Sequence, residues 1–320
     1  MAGAGHVAGE LGAWAVDAVP AAEAASIAAH LRECPVCAAE AGRLKGVASL
    51  LGVVESVPPT PSLGDAVLAA ALTARPPVAV PLLAPARAYA VQAAEMDSLL
   101  DTLTGAQWSR PAAKYGSVRT LVEHLAENDA PVATALGAPT VPAPGRAGWR
   151  AGATTLLRAL ASADQTVLER PARLAGPVPA TAPMRDALVQ RAFETWTHAD
   201  DIRVALHLPV RVPPPEQIRS VVGLGVRLLP TVLYAAGTHR PGRAARLALS
   251  GPGNGEWLVT PALEPLGGTA VVAATIRAEA VDVCRLMAGR IDPARLPRSV
   301  DGDRGLAEDL LAAAATLGCD

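Results

Sequence analysis

This chain lacks an excess of positive charge. Its formal net charge is −2 over 320 residues, which argues against a phosphate-tracking surface for nucleic acid or a general membrane-surface binder. Cysteine is sparse, with four residues in all, and two of those share one short motif. That usage fits a reducing compartment better than a disulfide scaffold. No unbroken apolar run is long enough to span a bilayer. The longest Ala/Leu/Val-rich stretch, residues 66–92, is interrupted by Arg75, Pro76, Pro77, Pro81, Pro85 and Arg87. The N-terminus has no basic region followed by an apolar run and a cleavage site, so a cytoplasmic chain without a membrane anchor is expected. Aromatic residues are only 3% of the total, yet hydrophobic residues are 51%, much of that alanine. A sizeable core is therefore available, and the length allows two or three domains. The Ala-, Gly-, Pro- and Arg-rich composition with few lysines has the bias of a high-GC bacterial genome, such as an actinobacterium.

What is present stands out against that background. His30-Leu-Arg-Glu-Cys34-Pro-Val-Cys37 places an imidazole and two thiols four and three residues apart, on one side of helical backbone. Two thiolates and an imidazole suit tetrahedral Zn(II), which needs one more ligand to close a structural site. His6 can supply it from upstream. A thioredoxin-like redox pair should follow a strand in a βαβ unit, whereas this CxxC follows an Ala-rich helical stretch. Two inert core cysteines remain the bland alternative.

The flanks carry a resemblance. His6, Trp14-Ala-Val-Asp17, Pro20-Ala-Ala-Glu23 and His30 through Cys37 with Ala38-Ala-Glu40 resemble the zinc-associated domain of bacterial anti-sigma factors. That resemblance implies a small helical zinc domain with ligands His6, His30, Cys34 and Cys37. It also implies a partner, an extracytoplasmic-function sigma factor, held away from RNA polymerase. A nucleic-acid finger is the less suitable reading, given the acidic balance and the lack of a basic helix. Oxidation of Cys34 and Cys37 would eject zinc, but ligand control is preferred to redox control, because no third cysteine lies upstream.

Four segments are expected. Residues 1–53 form the helical zinc domain, in which Val7, Leu11 and Trp14 make an apolar stripe and Pro20 opens the second helix. Residues 54–87 are Pro-rich linkers around one amphipathic helix, 62–74, with Ser62 as N-cap; it is read as a clamp that docks on the partner. Residues 88–238 form a helical bundle. Met96, Leu99, Leu100 and Leu103 mark one helix, Ser117 caps the next, and further helices span 148–170, 183–206 and 216–235, the last with Gly223 and Gly225 for close packing. Residues 239–320 form a small α+β domain. Arg246–Ser250 and Glu256–Thr260 flank Gly251-Pro-Gly-Asn-Gly255 as a hairpin, Val271–Arg277 is a third strand, and helices span 279–289 and 303–317. The fold class is mainly α.

A second constellation lies in the bundle. Glu194 and His198 are four apart on one helix face, and His124 sits among leucines on another helix. Two imidazoles and a carboxylate converging in a bundle make a three-ligand site with open positions. A surface Glu/His pair and a hydrogen-bonded core histidine are the plain alternatives. Here too the flanks carry a resemblance. Leu103–Pro111, Ser117–Leu125, Phe193–Arg203, Gly251–Trp257 and Asp282–Arg290 resemble the mycothiol-dependent maleylpyruvate isomerase family, with its DinB-like metal-binding bundle. The resemblance implies a divalent metal, most simply zinc, on His124, Glu194 and His198, and mycothiol as co-substrate. The family's dicarboxylate substrate calls for arginines, of which Arg203, Arg285 and Arg290 are candidates. The chain departs from the family at Ala112-Ala-Lys-Tyr115-Gly116, where a Cys-Pro-Gly-Trp type stretch is usual. Cys284 reads as a buried small hydrophobe and Cys319 as an exposed thiol.

Two functions follow. The first is a cytoplasmic anti-sigma factor whose isomerase-like region senses a ligand, a small thiol or an electrophile. The second is a mycothiol- and metal-dependent isomerase or thiol transferase carrying a regulatory zinc module.

Overall fold

The computed structural model describes residue 7 and residues 9–54, 61–74, 82–139, 144–176, 180–260 and 270–318. His6 and Cys319 lie outside the described residues. The chain divides into two compact units, Met1–Ala79 and Val80–Asp320, and the architecture is mainly helical with a small sheet near the C-terminus, as the sequence pattern implies.

The first unit holds α1 (Leu11–Ala15), α2 (Ala21–Glu33), α3 (Pro35–Val54) and α4 (Pro61–Ala74). Pro20 precedes α2 in extended backbone, and Glu23 lies in the helix's first turn. Cys34 leaves the helical region (φ −116°, ψ 100°), so α2 stops there. Pro35, whose missing N–H costs nothing at a first helical position, then opens α3. Helices α1, α2 and α3 pack around Leu11, Ile27, Cys37 and Ala41. A core of four buried side chains is small for independent stability. Val47, Leu50 and Leu51 on α3 and Leu63, Val67 and Leu68 on α4 are each more than half exposed.

The second unit begins with α5 (Ala84–Asp101), α6 (Val118–Ala135) and α7 (Gly145–Ala161). A short antiparallel pair, β1 (Pro171–Leu174) and β2 (Ala180–Pro183), leads into α8 (Met184–Ala205). The sequence pattern carries the α7 helix to residue 170. The chain instead turns out of it at Ser162, and Asp164 caps a separate 3-10 turn at Gln165–Glu169 by accepting Thr166 N–H at 2.8 Å. Ser117 caps α6 as expected, and Thr120 returns the bond to the Ser117 N–H. Helix α8 contacts α5, α6, α9 and β1, so its buried residues include Asp186, Gln190, Arg191, Glu194 and His198 alongside the apolar ones.

Helix α9 (Pro215–Ala235) bridges to the sheet region. It is the one helix among the described residues long and apolar enough to cross a membrane; it packs on α8, α10, α11 and β4. A Cβ at Gly225 would come within 2.5 Å of Met287, so glycine permits that close approach, whereas Gly223 meets only the side chain of Arg227. The sheet has the order β4-β3-β5-β6. Strands β3 (Arg243–Ser250) and β4 (Gly255–Val259) form the expected antiparallel hairpin. Strand β5 (Val271–Glu279) runs parallel to β3, and β6 (Arg298–Gly302) pairs antiparallel at the edge. Helices α10 (Ala280–Met287) and α11 (Arg304–Ala314) pack on β5.

Candidate metal centres

The 18-residue α6 and the 22-residue α8 lie side by side. From α6 comes His124; from α8 come Glu194 and His198, one turn apart. Their ligand atoms all fall within 4.8 Å of one another. His124 Nε2 is 3.4 Å from Glu194 Oε1. Glu194 and His198 are almost wholly buried, while His124 keeps about a fifth of its side chain exposed, 22%. The cluster therefore opens on the His124 side.

Neighbouring side chains contact each ligand. His198 Nδ1 lies 3.0 Å from Asp201 Oδ2, which directs Nε2 into the cluster. Arg290 grips Asp201 through two bonds, Nε to Oδ1 at 2.9 Å and an Nη to Oδ2 at 2.6 Å. Asn128, one turn after His124, places Nδ2 at 2.9 Å from His124 Nε2 and donates to Glu194 Oε1 at 2.6 Å. The Arg191 guanidinium pairs with the other Glu194 oxygen and lies 3.9 Å from Asp129 Oδ1. Tyr89 donates to Asp129 Oδ2 at 2.6 Å. Tyr115 packs obliquely against His124 and edge-on against His198, with ring centroids 4.5 Å and 5.0 Å away, and its hydroxyl is 3.2 Å from His124 Nε2.

The protonation states follow from these contacts. Burial pushes the Glu194 carboxyl up, but Arg191, His124 and His198 outweigh it and hold the group below its ordinary value. Burial likewise opposes Asp201, whose bonds to His198 and Arg290 keep it depressed. Asp129 is different: burial dominates over Arg191 and Tyr89 and raises it to about 6. Two imidazoles and a carboxylate held in the anionic form, with His198 and Glu194 oriented by further partners, match the donor set of a divalent metal with open coordination positions.

The loop before α6 is strained where it meets this cluster. Ala113 has φ +47° and Gly116 φ +81°, on either side of the short turn Ala113–Tyr115. A left-handed non-glycine residue costs on the order of 1–2 kcal/mol and persists where surroundings over-determine it.

The first unit brings His30, Cys34 and Cys37 together, again within 4.8 Å of one another. His30 Nε2 is buried with no hydrogen-bond partner among the described residues, an arrangement that a bound cation resolves. Hydrogen bonding from the backbone of Cys37 lowers the Cys34 thiol, while burial raises the Cys37 thiol. The donor set Cys2His fits zinc with a fourth ligand to be added.

Spacing singled out His30, Cys34 and Cys37 and the Glu194/His198 pair, and the family resemblance added His124 as the third candidate ligand. Spacing did not assign roles to Asn128, Arg191 and Asp201, although each is three or four residues from a ligand. Tyr115 has no periodic relation to any ligand; a strained loop delivers it. The three candidate arginines all meet carboxylates. Arg203 is buried and pairs with Asp200 and Glu95, Arg285 lies beside Asp282 and Asp200, and Arg290 holds Asp201. Cys284 is fully buried and its thiol is pushed up by that burial, as a small core hydrophobe should be.

No family model matches the chain, and no curated protein matches it. Two solved structures are similar in fold: crystal structures of the mycothiol-dependent maleylpyruvate isomerase and of a histidine-to-alanine mutant of it. They are 14% and 12% identical, respectively. Each covers 68% of this chain and 93% of its own, with a TM-score of 0.43. Similarity at that level does not fix this chain's chemistry.

Proposed function

We propose that the chain is a metal-dependent enzyme of thiol chemistry, an isomerase or thiol transferase that uses mycothiol or a similar small thiol. The observation that carries this reading is the buried His124/Glu194/His198 cluster with its oriented outer partners. A divalent ion there supplies the positive charge that stabilises a thiolate near neutral pH. The charge balance supports the same ligand class. Glu194, Asp129 and Asp201 bring three carboxylates against two guanidiniums, Arg191 and Arg290. One divalent cation turns that deficit into a single positive charge, and one monoanionic ligand such as a thiolate neutralises it. His124 faces the solvent-open side, where the thiol enters. A thiolate adding to a cis double bond conjugated to a carbonyl permits rotation about the resulting single bond, and elimination returns the trans isomer. Among the candidate arginines Arg285 keeps solvent-facing surface and only loose pairs, which suits a carboxylate of the substrate; Arg203 and Arg290 are committed to their carboxylate partners.

The test is turnover by the full chain. Metal-loaded protein should isomerise or conjugate a cis-unsaturated dicarboxylate only when thiol is present, and His198→Ala should abolish this without unfolding the chain. Equal rates for the wild type and His198→Ala would end the reading.

A second reading concerns the first unit. There the His30/Cys34/Cys37 cluster and the exposed apolar side chains of α3 and α4 support a zinc-held module that sequesters an extracytoplasmic-function sigma factor. A pull-down with the full chain that recovers one such factor, and loses it with Cys34→Ala, would support it. Recovery of no sigma factor would count against it.

A further inference from the structure

We infer that Tyr115 is the fourth protein ligand of the second metal centre, a displaceable one that closes the coordination position a thiol must take. The inference rests on the metal-site reading of His124, Glu194 and His198. Tetrahedral coordination at about 2.0–2.1 Å places neighbouring donor atoms roughly 3.3–3.4 Å apart. Glu194 Oε1 stands 3.4 Å from His124 Nε2, and the Tyr115 hydroxyl stands 3.2 Å from the same nitrogen. The phenol oxygen thus meets, at His124 Nε2, the donor–donor spacing that the carboxylate meets there. Ring geometry agrees. Tyr115, His124 and His198 meet pairwise at 4.5, 5.0 and 5.5 Å between centroids, so each ring contacts the other two.

The loop explains why this residue and no other reaches the cluster. Left-handed backbone at Ala113 and Gly116 turns the chain inward over Tyr115. Thr120 bonds the Tyr115 carbonyl and ties the turn to the first turn of α6, four residues before His124. The Lys114 ammonium lies over the Tyr115 ring, 5.8 Å from its centre. On ligation the phenol proton leaves to solvent. When a thiol takes the position, its S–H proton passes to the phenol oxygen it displaces, and one anionic donor replaces another with no change of net charge. Tyr115 then returns to its packing against the two imidazoles. The centre carries three permanent protein ligands and one that yields, and only ligands strong enough to displace a phenolate enter.

Titration of zinc into the metal-depleted full chain, followed by near-ultraviolet difference absorption and by elemental analysis, tests this. A tyrosinate difference band equivalent to one tyrosine should grow with the second bound ion. It should be lost in Tyr115→Phe, which should still bind that ion, and kept in Tyr234→Phe, whose ring is exposed. Addition of a small thiol such as N-acetylcysteine should bleach the band. Binding of the second ion without any band, or a band that persists in Tyr115→Phe, overturns the inference while leaving the metal site standing. Absence of a second ion, with His198→Ala indistinguishable from wild type, overturns both.

Discussion

The two histidine-containing clusters use the same helical spacing in opposite surroundings. His30, Cys34 and Cys37 sit across the junction of two helices in a unit whose core cluster, among the described residues, is built on Leu11, Ile27, Cys37 and Ala41. His124, Glu194 and His198 sit inside a bundle with an extensive apolar core of its own. In the first unit Cys37 belongs to the core and Cys34 packs against it, so a metal bound there would supply folding free energy. In the second, the apolar framework is already present, and it holds ligands, counter-charges and an open side in place. The two candidate sites thus differ less in their donor sets than in how much apolar framework surrounds each.

Chelation should separate the two most sharply. Removing metal is expected to unfold α1–α3, since structural zinc contributes roughly 10–16 kcal/mol in small metal domains, and to leave α5–α11 protected. Hydrogen exchange would show it; equal protection of both units after chelation would erase the distinction. Next in size is Arg191→Met. It strands Glu194 and Asp129 in the interior, which costs about 3–5 kcal/mol, or a fall in Tm of roughly 6–20 °C for a unit of this size. Calorimetry reads it directly, and an unchanged Tm would show that the buried charges are not coupled as described.

Those expectations depend on features the sequence discloses unevenly. Periodicity marks α5 and α6, because one face of each meets solvent and the other the core. Glycines and a proline announce the β3–β4 turn. Helix α8 is surrounded on several sides, so no clean stripe exists, and nothing in the pattern singles out Arg191 or Asp201. Pairing partners were equally hidden: Arg290 meets Asp201 across 89 residues, and Asn128 meets Glu194 across 66. The pair β1–β2 and the edge strand β6 are short and weakly patterned. Among the candidate ligands, the Glu194/His198 pair is legible because helices repeat at 3.6 residues, and Cys34 and Cys37 because they share one short motif; His124, on another helix, carries no such signal.

A smaller effect separates the clusters by pH. Asp129 is raised to about 6, so the folded chain holds a proton there that the unfolded chain releases near pH 4. Its contribution therefore destabilises the fold as pH rises from about 4 to about 6, by about 3 kcal/mol for a two-unit shift. Glu194 and Asp201 are depressed; their stabilisation is present above about pH 4 and is lost as pH falls through their folded values. Denaturant titrations of Asp129→Asn should lack the pH 4–6 loss that wild type shows, and parallel profiles would refute the assignment. Asp201→Asn should weaken the second centre's metal affinity about 10–100-fold with little effect on the first, as competition with a chromophoric chelator would report. Least affected should be stability in Leu50→Ser. An exposed α3 side chain contributes within about 0.5 kcal/mol, so any loss of partner binding by this variant would reflect the surface and not the fold.

Elemental analysis of the full chain, purified as wild type, Cys34→Ala and His198→Ala, tests the central claim most directly. Two divalent ions per wild-type chain and one in each variant, with the first unit unfolded only in Cys34→Ala, is the predicted result. A single ion in wild type that His198→Ala retains would contradict it.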